Sequence, residues 1–189
     1  MKGLRKGVSL VAHQPVSGPV FARSVIVLID YSSSRGATGL VMNKPTPLRI
    51  GELVGSMKGL NFRHDVVWIA GPVQPEVAWV VHNRGDLDSS GSLIRDGLWL
   101  GGDLQLLTNV AHASARDPAP SSFRFMRGYA GWSKGQLEDE INEGSWDVVD
   151  LETETLLGTP AEDLWDDAMA RAELPFPLPP NSLSGFRSN

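Results

Sequence analysis

The sequence predicts one globular domain built from both strands and helices, and three observations carry that reading. A chain of 189 residues with 41% hydrophobic content is long enough to close a core without metals or disulfides. Short apolar runs of strand length recur between Gly/Pro-rich turns. The stretch Gly128 to Glu140, reading G-Y-A-G-W-S-K-G-Q-L-E-D-E, has the pattern of a strand that passes through glycines into an amphipathic helix. The expected domain covers residues 1–174. Residues 175–189, with Pro175, Pro177, Pro179 and Pro180, are expected to form an extended or disordered tail.

Taken in order, Gly7 to Ala12 reads as a strand and Pro15 to Pro19 as a turn. Val25-Ile-Val-Leu-Ile29 is β-branched and lacks polar alternation, so it predicts a strand buried on both faces. After the loop Ser32 to Gly36, a strand over Gly39 to Met42 should end at Asn43-Lys44-Pro45, because Pro45 holds Lys44 extended and stops the pairing. A short helix is expected around Ile50 to Met57. Val66 to Ile69 and Val77 to His82, joined by Ala70-Gly-Pro-Val-Gln-Pro75, read as neighbouring strands. Residues 83–92 are polar and read as a loop, Leu98 to Leu100 as a short strand. Gly101-Gly102-Asp103 then leads into a helix expected to bury Leu104, Leu107, Val110 and Ala111, with His112 near its end as a dipole partner or a solvated ring. Trp146 to Val149 is a strand. Leu164, Trp165, Ala168, Met169 and Ala172 make the apolar face of a last helix, opened by a capping box of Thr159 and Glu162 with Pro160 at its first position.

The central stretch carries the sharpest local signals. Phe123 to Ala130 alternates as a half-buried strand. Ser133 and Gln136 then have the spacing of a capping box, Trp132 and Leu137 that of a hydrophobic staple, and Gly144 is placed to close the helix in a left-handed conformation. Loss of such a cap costs about 0.5–2 kcal/mol. The same residues, Gly131-Trp-Ser-Lys-Gly135, spell the G-x-S-x-G of a hydrolase nucleophile elbow. That fold needs its acid and its histidine downstream of the serine, whereas His13, His64, His82 and His112 all lie upstream. The capping reading therefore ranks above the nucleophile, and no catalytic residue is assigned.

Composition bounds the chemistry. The chain has no cysteine, which excludes thiol catalysis, disulfides and cysteine-ligated metal centres. No apolar run approaches the ~18 residues of a membrane helix. Met1-Lys-Gly-Leu-Arg-Lys6 lacks the apolar region of a secretory signal, so the expected compartment is the cytoplasm, or the plastid stroma for a chain whose transit peptide has been removed. No cofactor or metal is expected: Asp86 and Asp88 echo part of a calcium loop without the rest of its ligands. The net charge of -5 is unevenly spread. Residues 1–63 carry nine Lys/Arg against Asp30 and Glu52, whereas residues 136–167 carry twelve Asp/Glu and no Lys or Arg. The basic residues are scattered singly, unlike the dense stripe of a nucleic-acid binder, and read as solvated faces.

In this order, Phe21-Ala-Arg23-Ser24-Val25, Gly36-Ala-Thr-Gly39-Leu-Val-Met-Asn43-Lys44-Pro45, Gly71-Pro-Val-Gln-Pro75, Gly128 to Glu140, and Thr159-Pro160 through Trp165 resemble the YqgE/AlgH family over roughly residues 7–172. The resemblance implies an α+β fold with a coiled, partly bifurcated mixed sheet flanked by helices, and an association with transcriptional regulation. The chain departs from the pattern at Gly101-Gly102, where the family tends to place Ser/Thr, and at Ala70, where glycine is usual.

Within the match, Arg23, Ser24, Asn43 and Lys44 are the polar residues of interest. In a structural role, Asn43 and Ser24 bond turn backbone while Arg23 and Lys44 pair with the acidic C-terminal half. In a functional role the four form a small anion site, which requires them to converge on one pocket. Three hypotheses follow. The leading one is a noncatalytic regulatory or interaction protein with a protein partner or, more weakly, nucleic acid, which predicts a large single-sign or apolar surface. The others are a binder of a small anionic metabolite or nucleotide at Arg23/Lys44, and a serine hydrolase using Ser133 with His82 or another base.

Overall fold

Ten strands and five helices order the residues that the computed structural model describes, 3–13, 18–54, 65–116 and 122–173. The strands are β1 (Ser9–Ala12), β2 (Val25–Ser32), β3 (Gly36–Val41), β4 (Pro45–Arg49), β5 (Val66–Ile69), β6 (Val73–His82), β7 (Ser92–Arg95), β8 (Leu98–Gly101), β9 (Phe123–Ser133) and β10 (Trp146–Val149). The helices are α1 (Ile50–Val54), α2 (Leu104–Arg116), α3 (Gln136–Asn142), α4 (Thr153–Gly158) and α5 (Leu164–Ala172). The strands join in the order β10-β1-β2-β3-β9-β6-β8-β7, with β5 added to β9 and β4 to β5. All of these pairs are antiparallel except β5 with β9, so the sheet is mixed and the fold is α+β. No helix among the described residues is long and apolar enough to cross a membrane.

The sheet forks at β9. Its last residues pair with β3, Gly39 opposite Ala130, while Phe125 to Arg127 pair with β5. Where β3 and β9 part, Ala70 is wedged between them: its N–H donates to Arg127 O at 2.7 Å and its C=O accepts from Val41 N at 2.8 Å. Gly71 follows directly and is required there, since a Cβ would lie 2.1 Å from the Tyr129 carbonyl carbon. The bifurcation thus has a local cause. One strand end inserts into a split ladder, and a residue without a side chain lets the backbones touch.

The unalternating run at the start of β2 is buried on both faces, as its composition predicts. Val25 and Val27 face one core with Val11, Leu40, Leu156, Leu164 and Ala168, closed by α4 and α5. Ile26 and Leu28 face a second with Leu10, Val41, Leu137, Trp132 and Trp146, closed by α3. A third cluster packs Val67, Val80 and Phe125 against α1 and α2. Each fully buried side chain of this size contributes about 1.5–3 kcal/mol.

Several sequence expectations need correction. The strand over residues 123–130 runs on to Ser133, so α3 starts at Gln136 behind Gly135, whose φ is 81°, and Ser133 lies outside the helix. The other end closes as expected: Gly144 (φ 80°) donates to Ile141 O at 3.0 Å and Ser145 to Glu140 O at 2.8 Å, a Schellman motif. Thr159 is the C-terminal cap of α4, a helix not expected from sequence, and no cap hydrogen bond from a side chain opens α5. Pro160 supplies instead the carbonyl that accepts from Asp163 and Leu164. Pro45 opens a strand instead of ending one; with Pro47 it is tolerated because β4 pairs only with β5. The strands β5 and β6 do not pair with each other, and both join β9. Part of the predicted 83–92 loop belongs to the β7–β8 hairpin. In α2, Leu104 is exposed and Leu106 is buried in its place, while His112 is exposed to solvent. The 15–17 part of the predicted turn, residues 55–57 of the first helix, His64 and the proline-rich segment 175–189 lie outside the described residues.

Candidate functional site

Three of the four polar residues drawn from the sequence meet at one cleft. Arg23, Asn43 and Lys44 line a cavity of about 330 Å³, together with Ala22, Pro45, Ala161, Glu162 and Trp165. Ser24 does not line it. Its side chain is fully buried, and its hydroxyl has no hydrogen-bond partner among the described residues.

The side chains of Arg23, Asn43, Lys44 and Trp165 are each held by the protein itself. Asn43, next to the end of β3, accepts from Val25 N–H at 3.0 Å and donates to Arg23 C=O at 2.8 Å, tying the loop before β2 to the sheet. Lys44 Nζ donates to Ala22 C=O at 2.7 Å; burial, then the nearby Arg23 charge, lowers its pKa from the usual lysine range. Arg23 donates from Nη2 to Asp166 at 2.8 Å, and its guanidinium lies 4.2 Å from the centre of the Trp165 ring. The backbone of Arg23 is left-handed, φ 51°, a conformation a β-carbon disfavours, so the contacts around it hold a strained residue in place. Trp165 in turn donates from Nε1 to Ala12 C=O at 2.9 Å. Together these bonds clasp α5 onto the loop before β2. The cleft also holds the Glu162 carboxylate, so its charge is mixed.

The G-x-S-x-G serine sits at the last residue of β9, paired with Gly36. Its hydroxyl donates to Gln136 Oε1 at 3.1 Å, and its backbone N–H donates to the same oxygen at 3.0 Å. This is the reaching-back half of a capping box without the forward half. His82, the base a hydrolase reading would pair with Ser133, lies opposite Phe123 at the other end of β9. It is buried, accepts from Arg84 N–H at Nδ1 (3.1 Å) and faces Asp88 from Nε2 (3.2 Å). His13 contacts Asp147 at 2.8 Å. Asp86 is bonded twice to Arg84, and among the described residues no group of three or more His, Asp or Glu side chains could hold a metal ion.

Part of the acidic segment gathers on one surface. Glu154, Asp163, Asp166 and Asp167, from α4, α5 and the turn between them, line a depression of about 610 Å³ with Thr155, Gly158, Thr159 and Pro160. No Lys or Arg is among these lining residues. Asp166 is paired with Arg23, while Glu154, Asp163 and Asp167 form no ion pair among the described residues. Sequence composition showed the acidic excess but not that two short helices would present it together.

Comparison with known proteins places this geometry. A family model described as AlgH-like matches residues 9–177. A UPF0301 protein of Anaeromyxobacter sp. (strain K) is 32% identical over 182 residues, covering 91% of this chain and 89% of its own. A UPF0301 protein of Myxococcus xanthus is 36% identical over 176 residues, covering 89% and 91%. The solution structure of the AlgH protein from Pseudomonas aeruginosa superposes with a TM-score of 0.70 at 27% identity, over 93% of this chain and 94% of that one. A crystal structure of a Corynebacterium diphtheriae protein shares the fold with a TM-score of 0.69 at 23% identity, over 93% and 90%. With the forked sheet, the glycine at the fork and a family match spanning most of its length, the chain belongs to the AlgH-like family.

Proposed function

We propose that this protein is a noncatalytic interaction protein of regulatory type, and that its α4–α5 face receives a basic segment of a protein partner. The observation that carries the reading is the depression bordered by Glu154, Asp163, Asp166 and Asp167, a surface lined by one sign of charge whose carboxylates, Asp166 aside, form no ion pair among the described residues. Charges left without partners at a surface cost little when solvated and are available to steer a complementary chain. A face of this sign repels a phosphate backbone, so the partner received here is a protein and not a nucleic acid. The Arg23/Lys44 cleft favours the same reading: its cations are engaged with Asp166, Trp165 and Ala22, and it works as the clasp that positions α5.

Binding of a fluorescent Arg/Lys-rich peptide, followed by anisotropy at low and high salt, tests this. Asp163→Lys with Asp167→Lys should weaken binding by roughly tenfold or more. Asp139→Lys with Glu143→Lys, an equal charge change on α3 and its C-terminal cap, should leave it near the wild-type value. Equal losses from the two pairs would reduce the effect to net charge and reject the face.

A further inference from the structure

A second cavity, apart from the Arg23 cleft, contains a buried cation without a counter-ion among the described residues. Arg124, the second residue of β9, is only 4% exposed, although arginine is rarely buried unless paired. Its Nη1 donates to Met42 C=O and its Nη2 to Leu157 C=O at 3.4 Å, and the guanidinium stands 4.3 Å from the centre of the Trp68 ring. All three contacts are to neutral groups. Among the described residues no carboxylate forms an ion pair with it. Burial alone lowers its pKa, to about 10. A buried charge that lacks an opposite charge is unfavourable, and a protein that keeps one has a reason for it.

Arg124 lines a cavity of about 550 Å³ between β5, the start of β9 and the α4–α5 turn, within the range of roughly 300–1,000 Å³ that small-molecule sites occupy. Its walls among the described residues supply an aromatic and aliphatic body, Trp68, Phe125 and Leu157, and two hydroxyls, Ser122 and Thr159. Asp65 is the carboxylate among those walls and has an interaction of its own. The guanidinium fork has more N–H groups than the two its protein carbonyls occupy, so it retains donors for an oxyanion.

We propose that this cavity binds a small organic oxyanion, a carboxylate or phosphate carried on a flat apolar body, with Arg124 as its counter-charge and Ser122 and Thr159 as supplementary donors. The apolar body lies along Phe125 and Leu157. The ligand supplies the negative charge that the fold withholds from Arg124, so binding is strongest for the charged form and is lost with a neutral analogue of the same shape. The site adjoins the acidic surface, with which it shares Gly158, Thr159 and Pro160, and its response to anions is read separately from peptide binding.

Benzoate and phenyl phosphate, with benzyl alcohol as the neutral control, test the proposal on the full chain by thermal shift and by the Trp68 indole resonance in two-dimensional NMR. Stabilisation should grow with the logarithm of anion concentration. A response to benzoate alone defines a carboxylate site and to phenyl phosphate alone a phosphate site; benzyl alcohol should be silent. Arg124→Met should weaken binding roughly 10- to 100-fold. Because Arg124 is buried, Thr159→Asp provides a second variant that leaves the arginine in place and sets a carboxylate at the cavity wall; it should also abolish the response. No response to either anion in the wild type, or a response that survives in both variants, overturns the proposal.

Discussion

Removing the Glu140 carboxylate should cost this protein a large part of its stability, although Glu140 is a half-buried residue on a seven-residue helix. Its Oε2 accepts from Trp132 Nε1 at 2.9 Å and from Trp146 Nε1 at 2.7 Å, and its Oε1 accepts from Gln136 Nε2 at 2.9 Å. One side chain of α3 thereby joins the end of β9 to β10, whose indoles are 7% and 3% exposed and pack edge to face at 5.9 Å. In Glu140→Ala both indole N–H groups lose their acceptor. A buried donor left unsatisfied costs about 1–3 kcal/mol, and water reaching the vacated position offsets part of the sum, so the expected loss is about 2–4 kcal/mol. Glu140→Gln keeps one carbonyl acceptor without the charge and should lose about 1–2 kcal/mol. Urea unfolding followed by far-UV circular dichroism measures both, with the slope unchanged if the native state is intact. In a double-mutant cycle, Glu140→Ala and Trp146→Phe should couple by about 1 kcal/mol or more. A Glu140→Ala protein within about 0.5 kcal/mol of wild type, a loss too small for a buried donor, would refute the clasp, as would a Gln variant as damaged as the Ala variant.

Other expectations concern the remaining buried polar groups. Asn43→Ala removes the acceptor of Val25 N–H and the donor to Arg23 C=O together, and should lower stability by about 2–4 kcal/mol; Asn43→Asp keeps the acceptor and should fall between it and the wild type in the same denaturation assay. His82 should show in the pH dependence. Nδ1 accepts from Arg84 N–H, so Nε2 carries the proton and donates to Asp88, and burial holds the pKa below the usual 6.5 against the pull of Asp88. As pH falls through about 6.5 the unfolded chain takes up a proton that the folded protein declines, so stability present above that pH is lost below it. His82→Gln should shrink the difference in unfolding free energy between pH about 7.5 and about 5.5, and an unchanged difference would assign it to other groups.

Much of the architecture is legible in the residues because burial and backbone chemistry agree there. Val25 to Leu28 has no polar alternation and is buried on both faces; Val66 to Ile69 and Trp146 to Val149 match their strands residue for residue; Gly144 closes α3 as its position predicts. The elements that escaped are those whose stability comes from neighbours. The strand β7 is only four residues long, pairs among the described residues with β8 alone, and is signalled only by Asp96-Gly97, a hairpin dipeptide, with Gly97 at φ 70°. The edge strand β4 contains two prolines, and α4 is six residues long. Ser133 and Gln136 do interact, but the ladder with β3 holds Ser133 in the strand and moves the helix start. At the candidate site, the family pattern pointed to Arg23, Asn43 and Lys44, which share a cleft, and to Ser24, which faces the interior. Arg124 was hidden by its own strand. The alternation of residues 123–130 suggests one wet face, whereas Met126, on the same face as Arg124, is fully buried and the sheet is covered on both sides.

The most direct test of the proposed role is an amide NMR titration of the labelled protein with the basic peptide. Shifts confined to Thr153–Ala172, the α4–α5 face, are the predicted result. Shifts centred on Gln136–Asn142, or spread evenly over the acidic surface, would contradict it.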